Sequence, residues 1–337
     1  MKILIALAAT LCFSLSGFSK TEKTIRVGVS PVMSTAGLFI ALEKGYFKNE
    51  GLNVEFLTFD SSGAAMTPLL GKGELEVGAG NISSGLLNAV NEGVAIKLVA
   101  DKGHSPVGQG YMGLIVRTDH IKSGRYKELK DLKGFKVGFT SLGGVSQQVL
   151  FEKFLTKAGL QPTDTEYLKL SYPEMNLALE KKELDATIQL EPFISQAESR
   201  GFAKKVADAS EVYPGQQSGV LIYSAEFASR TKEAKAFMKA YLKGVADYND
   251  AFTATKPRDQ KEIAALLDRH LKIQSVELWK AMGPVGLKAD GLIDSVLLKN
   301  DLQWYLDKKY IKKMPTLETL IDNSFVTGAI KTTGKIN

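Results

Sequence analysis

Hydrophobic and polar positions follow two alternating periods along the first two thirds of the chain. Short apolar runs bounded by turn residues are typical of strands, and apolar residues spaced three or four apart are typical of helices. From Thr24 the predicted strands are TIRVGVS, LNVEFLTF, LEVGAG and AIKLVAD, and the helices between them are AGLFIALEKGYF, GAAMTPLLGKG and SSGLLNAVNEG. This alternation predicts a mainly parallel sheet with helices on its faces.

A second alternating series begins at Phe135. Its predicted strands are FKVGFT, TEYLKLS and LDATIQL, and its helices are VSQQVLFEKFLTKAG and PEMNLALEKKE. Extended segments near 110–118 and 217–224 flank this series and are the expected crossings, and the chain after Ser229 is predicted to be almost entirely helical to Leu320. A chain of 337 residues exceeds one ordinary core. We therefore predict an α/β fold of two lobes, with 20–112 plus 218–337 in lobe I and 113–217 in lobe II.

The N-terminus has the pattern of an export signal. Lys2 precedes the apolar run ILIALAATLCFSLSGF, which is too short to span a membrane and ends in small residues. We expect residues 1–19 to be a cleaved signal peptide and the mature protein to be periplasmic. Cys12, the one cysteine, lies in this run behind a leucine, where a lipoprotein signal has a small residue. The mature chain would then lack disulfide and thiol chemistry.

Composition and motifs exclude several classes of function. The net charge of +6 comes without any block of more than two basic residues, so a nucleic-acid groove is not expected. No G-x-S-x-G elbow is present, and the three histidines have no metal-ligand spacing. The stretch GQGYMG fits a dinucleotide-binding motif but precedes a strand instead of joining a strand to a helix. We expect no catalytic residue, metal or cofactor.

Small and hydroxyl residues follow the predicted strands instead. They form the stretches SPVMST, DSSG, GNISS and TSLGGVS, and LEPF follows the last strand of the second series. Ligands of open α/β sheets bind at the carboxyl ends of strands, where the free N–H groups of helix starts favour negative charge. These loops predict an anion site built from neutral donors, although any single one could be an ordinary cap or turn.

The stretch ALEKGYFKNEGLNVEF resembles the first helix–strand unit of periplasmic substrate-binding proteins of ABC importers, in the nitrate/sulfonate/taurine and thiamine-pyrimidine-precursor branch. LLGKGELEVGAGN, LKDLKGFKVGF and LALEKKELDATIQLEPF extend the resemblance over residues 24–225. The resemblance implies a two-lobe type II periplasmic binding protein fold with the ligand between the lobes. It implies these ligand-binding residues: Ser34, Thr35, Ser61, Ser62, Asn81, Ser83, His104, Ser141, Gly143, Val145 and Glu191.

The resulting hypothesis is a monomeric solute-binding protein that delivers a small anionic or zwitterionic organic solute to an ABC permease and ATPase. The solute would be a sulfonate, taurine or nitrate. Alternatives are a thiamine-pyrimidine precursor or an aromatic acid, an exported enzyme that uses Glu191 or His104 as a base, and a partner of a non-transport receptor. The cysteine-rich motif of the related eukaryotic pyrimidine-synthesising branch is missing. Glu191 either receives an ammonium or amine of the ligand or caps the helix that begins at PFISQAESR.

Overall fold

The computed structural model describes residues 23–59, 65–110 and 112–333. The predicted signal peptide lies outside the described residues, as do Ser61 and Ser62. The described chain contains two five-stranded sheets, which confirms the α/β fold with two lobes. The strands are β1 Ile25–Val29, β2 Val54–Thr58, β3 Val77–Asn81, β4 Ile96–His104, β5 Met112–Arg117, β6 Lys136–Phe139, β7 Glu166–Lys169, β8 Ala186–Leu190, β9 Ala203–Asp208 and β10 Gln217–Ser224.

Each sheet combines parallel strands with one antiparallel strand. The first sheet has the order β2-β1-β3-β10-β4, in which β10 runs antiparallel to both of its neighbours. The second has the order β7-β6-β8-β5-β9, in which β5 has the same role. The chain thus crosses between the sheets twice, from β4 to β5 and from β9 to β10. The ranges predicted as crossings form β5 and β10 themselves, and the connections precede them.

Helices cover the faces of both sheets. Their bounds are α1 Ala36–Glu43, α2 Tyr46–Asn49, α3 Met66–Gly71, α4 Ser84–Asn91, α5 Thr118–Ser123, α6 Ser146–Lys157, α7 Tyr172–Glu180, α8 Phe193–Ser199, α9 Ala225–Ser229, α10 Thr231–Phe252, α11 Gln260–Leu271, α12 Val276–Ala281, α13 Ser295–Asp307, α14 Leu317–Leu320 and α15 Ser324–Thr333. In the described part of the chain, none of these helices is both long enough and apolar enough to cross a membrane.

The longest helix, α10, packs closely on α1. A Cβ on Gly244 would lie 2.0 Å from the carbonyl oxygen of Gly37, so the two backbones meet where neither residue has a side chain. Gly45 follows α1 with a φ of 69°, a left-handed conformation that ends this helix. This contact fixes α1, and with it the segment that leads from β1 into the helix.

Helix α13 connects the two lobes. The indole Nε1 of Trp304 donates to the carboxylate of Glu152 on α6, at 3.1 Å. The hydroxyl of Tyr305 donates to the carbonyl of Ile82, just after β3, also at 3.1 Å. The C-terminal helices therefore contact both sheets' loops near the carboxyl ends of the strands.

Candidate functional site

The lobes touch directly at the carboxyl ends of their strands. The amide of Ser84 donates to the carbonyl of Gly144 at 3.0 Å, and the amide of Met33 donates to the carbonyl of Glu191 at 2.9 Å. Ser83 and Val145 face each other as an isolated antiparallel bridge. The cleft between the lobes is therefore closed in this structure.

Two predicted residues of lobe I lie in this contact. Asn81 ends β3, is 5 % exposed, and donates from Nδ2 to the hydroxyl of Tyr172 in lobe II at 3.2 Å. Ser83 caps α4, because its Oγ accepts from the amide of Leu86 at 3.3 Å. Ser83 has an extended backbone, and the amide of the next residue, Ser84, donates to lobe II.

The short turn Met33–Thr35 brings two further predicted residues under the cleft. Ser34 is buried, and its Oγ has no hydrogen-bond partner among the described residues. Thr35 is also buried, but its hydroxyl donates to the carbonyl of Ser30 at 2.9 Å. Ser34 therefore has a hydroxyl to offer to a ligand, whereas the hydroxyl of Thr35 stabilises the turn.

His104 lies at the end of β4, where the chain leaves the first sheet. Its Nδ1 is 3.6 Å from the Oδ1 of Asp101, and its amide donates to the carbonyl of Gly286 at 3.2 Å. These contacts place His104 at the crossing, beside the segment that covers the edge of β4.

In the loop between β6 and α6, several hydrogen-bond donors are already paired with side chains of α6. The amide and the hydroxyl of Thr140 both donate to the Oε1 of Gln147, at 3.1 and 2.7 Å. The amide of Gly144 donates to the Oε1 of Gln148 at 3.0 Å. Two α6 glutamines thus occupy donors that the sequence assigned to a ligand.

The three predicted residues of this loop differ in how far they are buried in the contact between the lobes. Val145 is fully buried and pairs with Ser83 across the cleft. Ser141 is half-buried and accepts from the amide of Gly143 at 3.4 Å, as in a short turn, and Gly143 is exposed. The carbonyl of Gly143 accepts from the hydroxyl of Ser84, so Gly143 contributes through its backbone to the contact between the lobes.

Glu191 is buried and hydrogen-bonded within its own lobe. Its Oε2 accepts from the amide of Ser195 at 3.1 Å, and its Oε1 accepts from the hydroxyl of Ser195 at 2.9 Å. Burial raises the pKa of this carboxyl to about 7, against the opposing effect of both hydrogen bonds. The carboxylate therefore caps the first turn of α8, one of the two roles that the sequence left open.

Sequence reasoning did not name two buried polar residues, Lys102 and Ser146, although Ser146 ends the stretch TSLGGVS. Lys102 on β4 is 2 % exposed, and Ser146 at the start of α6 is fully buried with an unpartnered Oγ in the described part of the chain. At the hinge, Gln216 donates from Nε2 to the carbonyl of Ser146 at 3.2 Å and to Asp301 at 3.0 Å. Lys102 directly follows the predicted strand AIKLVAD in the polar stretch DKGH, and nothing in that stretch indicates that its side chain is buried.

The contact between the lobes offers neutral donors. Among residues 23–59, 65–110 and 112–333, no three histidine, cysteine or carboxylate side chains gather as metal ligands would. Such an arrangement suits reversible binding of a small polar solute between the lobes, because closure removes it from water on both sides.

Comparisons with known proteins agree with this geometry. A model of the NMT1-like family matches residues 19–268. A curated relative, a putative binding protein of Brucella abortus, is 26% identical over 278 residues, which cover 81% of this chain and 80% of the relative.

Solved structures with the same fold include three binding proteins. The ligand-binding component of an ABC-type import system from Staphylococcus aureus, solved with zinc bound, has a TM-score of 0.74 at 18% identity and covers 91% of this chain and 99% of its own. The nitrate-binding protein NrtA from Synechocystis has a TM-score of 0.73 at 16% identity, with coverages of 93% and 89%. The aliphatic sulphonate-binding protein SsuA from Escherichia coli has a TM-score of 0.69 at 17% identity, with coverages of 89% and 92%.

Proposed function

The chain belongs to the NMT1-like family, and from this membership and the closed cleft we propose that it is an exported solute-binding protein of an ABC importer. It binds one small anionic or zwitterionic organic solute, of the sulfonate, taurine or nitrate kind, between its lobes. It then presents the closed form to a permease and its ATPase in the inner membrane. It binds and releases the solute without chemical change.

The observation that carries the proposal is the direct contact of the two lobes over buried polar groups. Asn81 reaches Tyr172 across the cleft, and the hydroxyls of Ser34 and Ser146, which have no partner in the part of the chain that the structure describes, are buried on either side of it. A buried hydroxyl without a partner costs stability, so a ligand oxygen that accepts from it recovers that cost. We keep the predicted residues as the proposed site, with Ser34 and Asn81 as its central members.

A second candidate solute is a flat ring such as a thiamine-pyrimidine precursor or an aromatic acid. The ring of Tyr172 stacks on that of Phe193, with centroids 6.0 Å apart and an interplanar angle of 18°. Aromatic faces at the cleft would suit a planar solute. This candidate differs from the first in charge, which the test below exploits.

Catalysis is the less supported alternative. Of the two bases considered, the Glu191 carboxylate is held by Ser195 on both oxygens, and His104 lies at the crossing beside Asp101. A general base needs a free acceptor within reach of the reacting proton. The alternative predicts a product after incubation, whereas a binding protein returns its solute unchanged.

The test is to purify the protein from the periplasm under native conditions and weigh it by native mass spectrometry. Thermal unfolding is then followed with sodium nitrate, sodium ethanesulfonate, taurine and an aminopyrimidine. A solute at a hundredfold excess over its Kd stabilises the protein by about 2.7 kcal/mol. We expect one of these to raise the Tm by several degrees and to be recovered intact. A protein that retains no small molecule and is stabilised by none of them would contradict the proposal.

A further inference from the structure

Lys102 is buried in the first sheet without a matching charge. Its side chain is 2 % exposed, and its Nζ is 3.5 Å from the carbonyl oxygen of Ala79 on β3. No carboxylate of the described residues lies within 4.0 Å of this Nζ. One acceptor at the outer limit of hydrogen bonding leaves an ammonium with three donors poorly satisfied, which is costly inside a protein.

A β-bulge between β4 and β10 places the Lys102 side chain inside the protein. Gly219 of β10 pairs with Gly103 of β4, and Val220 pairs with Asp101, so Lys102 is an extra residue in a bulge. A Cβ on Gly219 would lie 3.1 Å from the carbonyl carbon and oxygen of Lys102. The missing side chain at Gly219 lets β4 approach β10 closely, and the lysine reaches past β10 to β3.

The position reached is next to the cleft. Ala79 and Asn81 alternate with Gly80 on β3, so they share one face of the strand, and Asn81 is the residue that contacts Tyr172 of lobe II. The turn Met33–Thr35, which contains Ser34 with its unpartnered hydroxyl, packs against β4. The Nζ of Lys102 therefore approaches β3 two residues before Asn81, the residue that contacts lobe II.

The neighbouring acid does not neutralise Lys102 by direct contact. The Oδ1 of Asp101 accepts from Gln217 Nε2 at 2.7 Å, and its Oδ2 accepts from the amide of Lys288 at 2.9 Å. Both oxygens of Asp101 are thus hydrogen-bonded, one to β10 and the other to the segment at Lys288. The ammonium remains available to a bound anion.

We propose that the ammonium of Lys102 binds the anionic group of the solute and selects a small monoanion without an ammonium group, such as nitrate or an alkanesulfonate. This inference rests on the proposed solute-binding function. A buried cation favours an anion strongly because the surroundings do not screen the charges. The ammonium of taurine would have to share the Glu191 carboxylate with Ser195, which already donates to both of its oxygens.

The test compares Lys102→Met with Lys97→Met by calorimetric titration of sodium ethanesulfonate, sodium nitrate, taurine and ethanesulfonamide. Lys97 lies on the same strand at its far end, where it donates to the carbonyl of Thr319 on the surface. We expect the wild type and the Lys97 variant to bind ethanesulfonate or nitrate equally and to prefer them to taurine. The Lys102 variant should bind the same anion at least tenfold more weakly. The neutral ethanesulfonamide should lose little on the same substitution.

Each outcome separates this inference from the proposed function. Equal anion binding by the Lys102 variant and the wild type overturns the inference, and so does a wild type that prefers taurine or binds only an uncharged aminopyrimidine, although solute binding then stands. A wild type that binds no probe and retains no small molecule overturns the proposed function. Melting curves must show that the Lys102 variant is folded.

If the variant does not fold, the pH dependence of the wild type decides. Burial lowers the pKa of Lys102 to about 8, while the nearby charge of Asp101 opposes this shift. The other ionisable groups around it are His104 on the same strand and Tyr241 of α10, whose hydroxyl donates to the carbonyl of Asp101. Burial holds the pKa of Tyr241 far above this range. Ethanesulfonate affinity should therefore fall about tenfold per pH unit between pH 8.5 and 10, and a flat profile overturns the inference.

Discussion

At the scale of single residues, two ionisable side chains discussed above, those of Glu191 and Lys102, are buried. The side chain of Glu191 caps α8, while its backbone carbonyl accepts from Met33 of lobe I. One residue thus connects the start of a helix with the contact between the lobes. Its ionisation should affect stability in a defined direction.

Glu191→Gln should stabilise the protein more at pH 8 than at pH 5. The pKa of Glu191 is raised from 4.5 to about 7. Stability from a raised carboxyl pKa is present below the unfolded value and is lost as pH rises through the folded value, here by roughly 3 kcal/mol. Glutamine keeps an oxygen for the amide of Ser195 and has no charge to bury. The difference in Tm between variant and wild type should therefore become more positive from pH 5 to pH 8.

The matched control is Glu183→Gln, which changes an exposed carboxylate of the same lobe. Its Tm difference from the wild type should be small and the same at both pH values. If Glu191→Gln gives the same difference at pH 5 and pH 8 as well, the buried carboxyl is not the source of the pH dependence.

The residue scale also shows what the sequence could and could not predict. Asn81 and Ser83 follow a strand directly, and position alone placed them at the sheet edge where the lobes meet. Lys102 lies in the polar stretch DKGH at the end of β4, and the bulge opposite Gly219 brings its side chain into the sheet. A bulge depends on how segments that are distant in sequence pair with each other, so a local sequence pattern does not predict it.

At the scale of elements, the loop between β6 and α6 is shaped by contact with the other lobe. Its left-handed residue is Gly144, with a φ of 104°, and a Cβ there would lie 2.8 Å from the ring of Tyr310 and 3.0 Å from that of Tyr305. Its neighbour Gly143, one of the predicted ligand-binding residues, has an ordinary φ and an open Cβ position 3.8 Å from the hydroxyl of Ser84. Adjacent glycines cannot be told apart without the tertiary contact.

Gly144→Ala should therefore weaken binding of the cognate anion, whereas Gly143→Ala should not. A side chain at 144 strains the backbone at a cost on the order of 1–3 kcal/mol and separates the loop from the two tyrosine rings when the lobes close. We expect at least a tenfold loss of affinity for Gly144→Ala and less than a twofold change for Gly143→Ala, measured by calorimetric titration. Equal losses in both variants would show that the loop does not use its glycines in this way.

Strand β9 is an element that the sequence did not predict. Its residues alternate poorly, and Lys204 and Lys205 are both exposed. β9 is an edge strand of the second sheet and pairs with β5. Charged lysines on an edge strand oppose its pairing with a strand of another chain. The interior strands were predictable because two covered faces require apolar runs. An edge strand is held by a partner that is remote in sequence.

At the scale of the whole molecule, the two lobes form one closed body through contacts at the ends of the strands and at the hinge. The contacts between Ser84 and Gly144, and between Met33 and Glu191, are hydrogen bonds on the rim of the cleft. Two connections between the sheets permit a hinge, and a solute held from both sides favours the closed form. Without solute the same bonds must compete with water, so the lobes should separate.

A disulfide across the cleft should trap the closed form. Since the amide of Ser84 donates to the carbonyl of Gly144, the bridge between Ser83 and Val145 is a non-hydrogen-bonded pair, whose Cα atoms lie about 4.5 Å apart in antiparallel strands. This spacing is within the range of a disulfide. The natural chain has one cysteine, Cys12, in the predicted signal peptide, so the Ser83→Cys/Val145→Cys variant of the mature protein would have no competing thiol.

Small-angle scattering measures the result. The wild type should have a larger radius of gyration without solute than with it, and the oxidised double variant should keep the smaller value in both conditions. Reduction should restore the wild-type response, which separates the effect of the crosslink from that of the substitutions. Because the trapped form blocks access to the cleft, oxidised protein prepared without solute should also bind none. A radius of gyration that is the same for the solute-free wild type and the oxidised variant would mean that the lobes stay closed without a ligand, and binding would then need another route into the cleft.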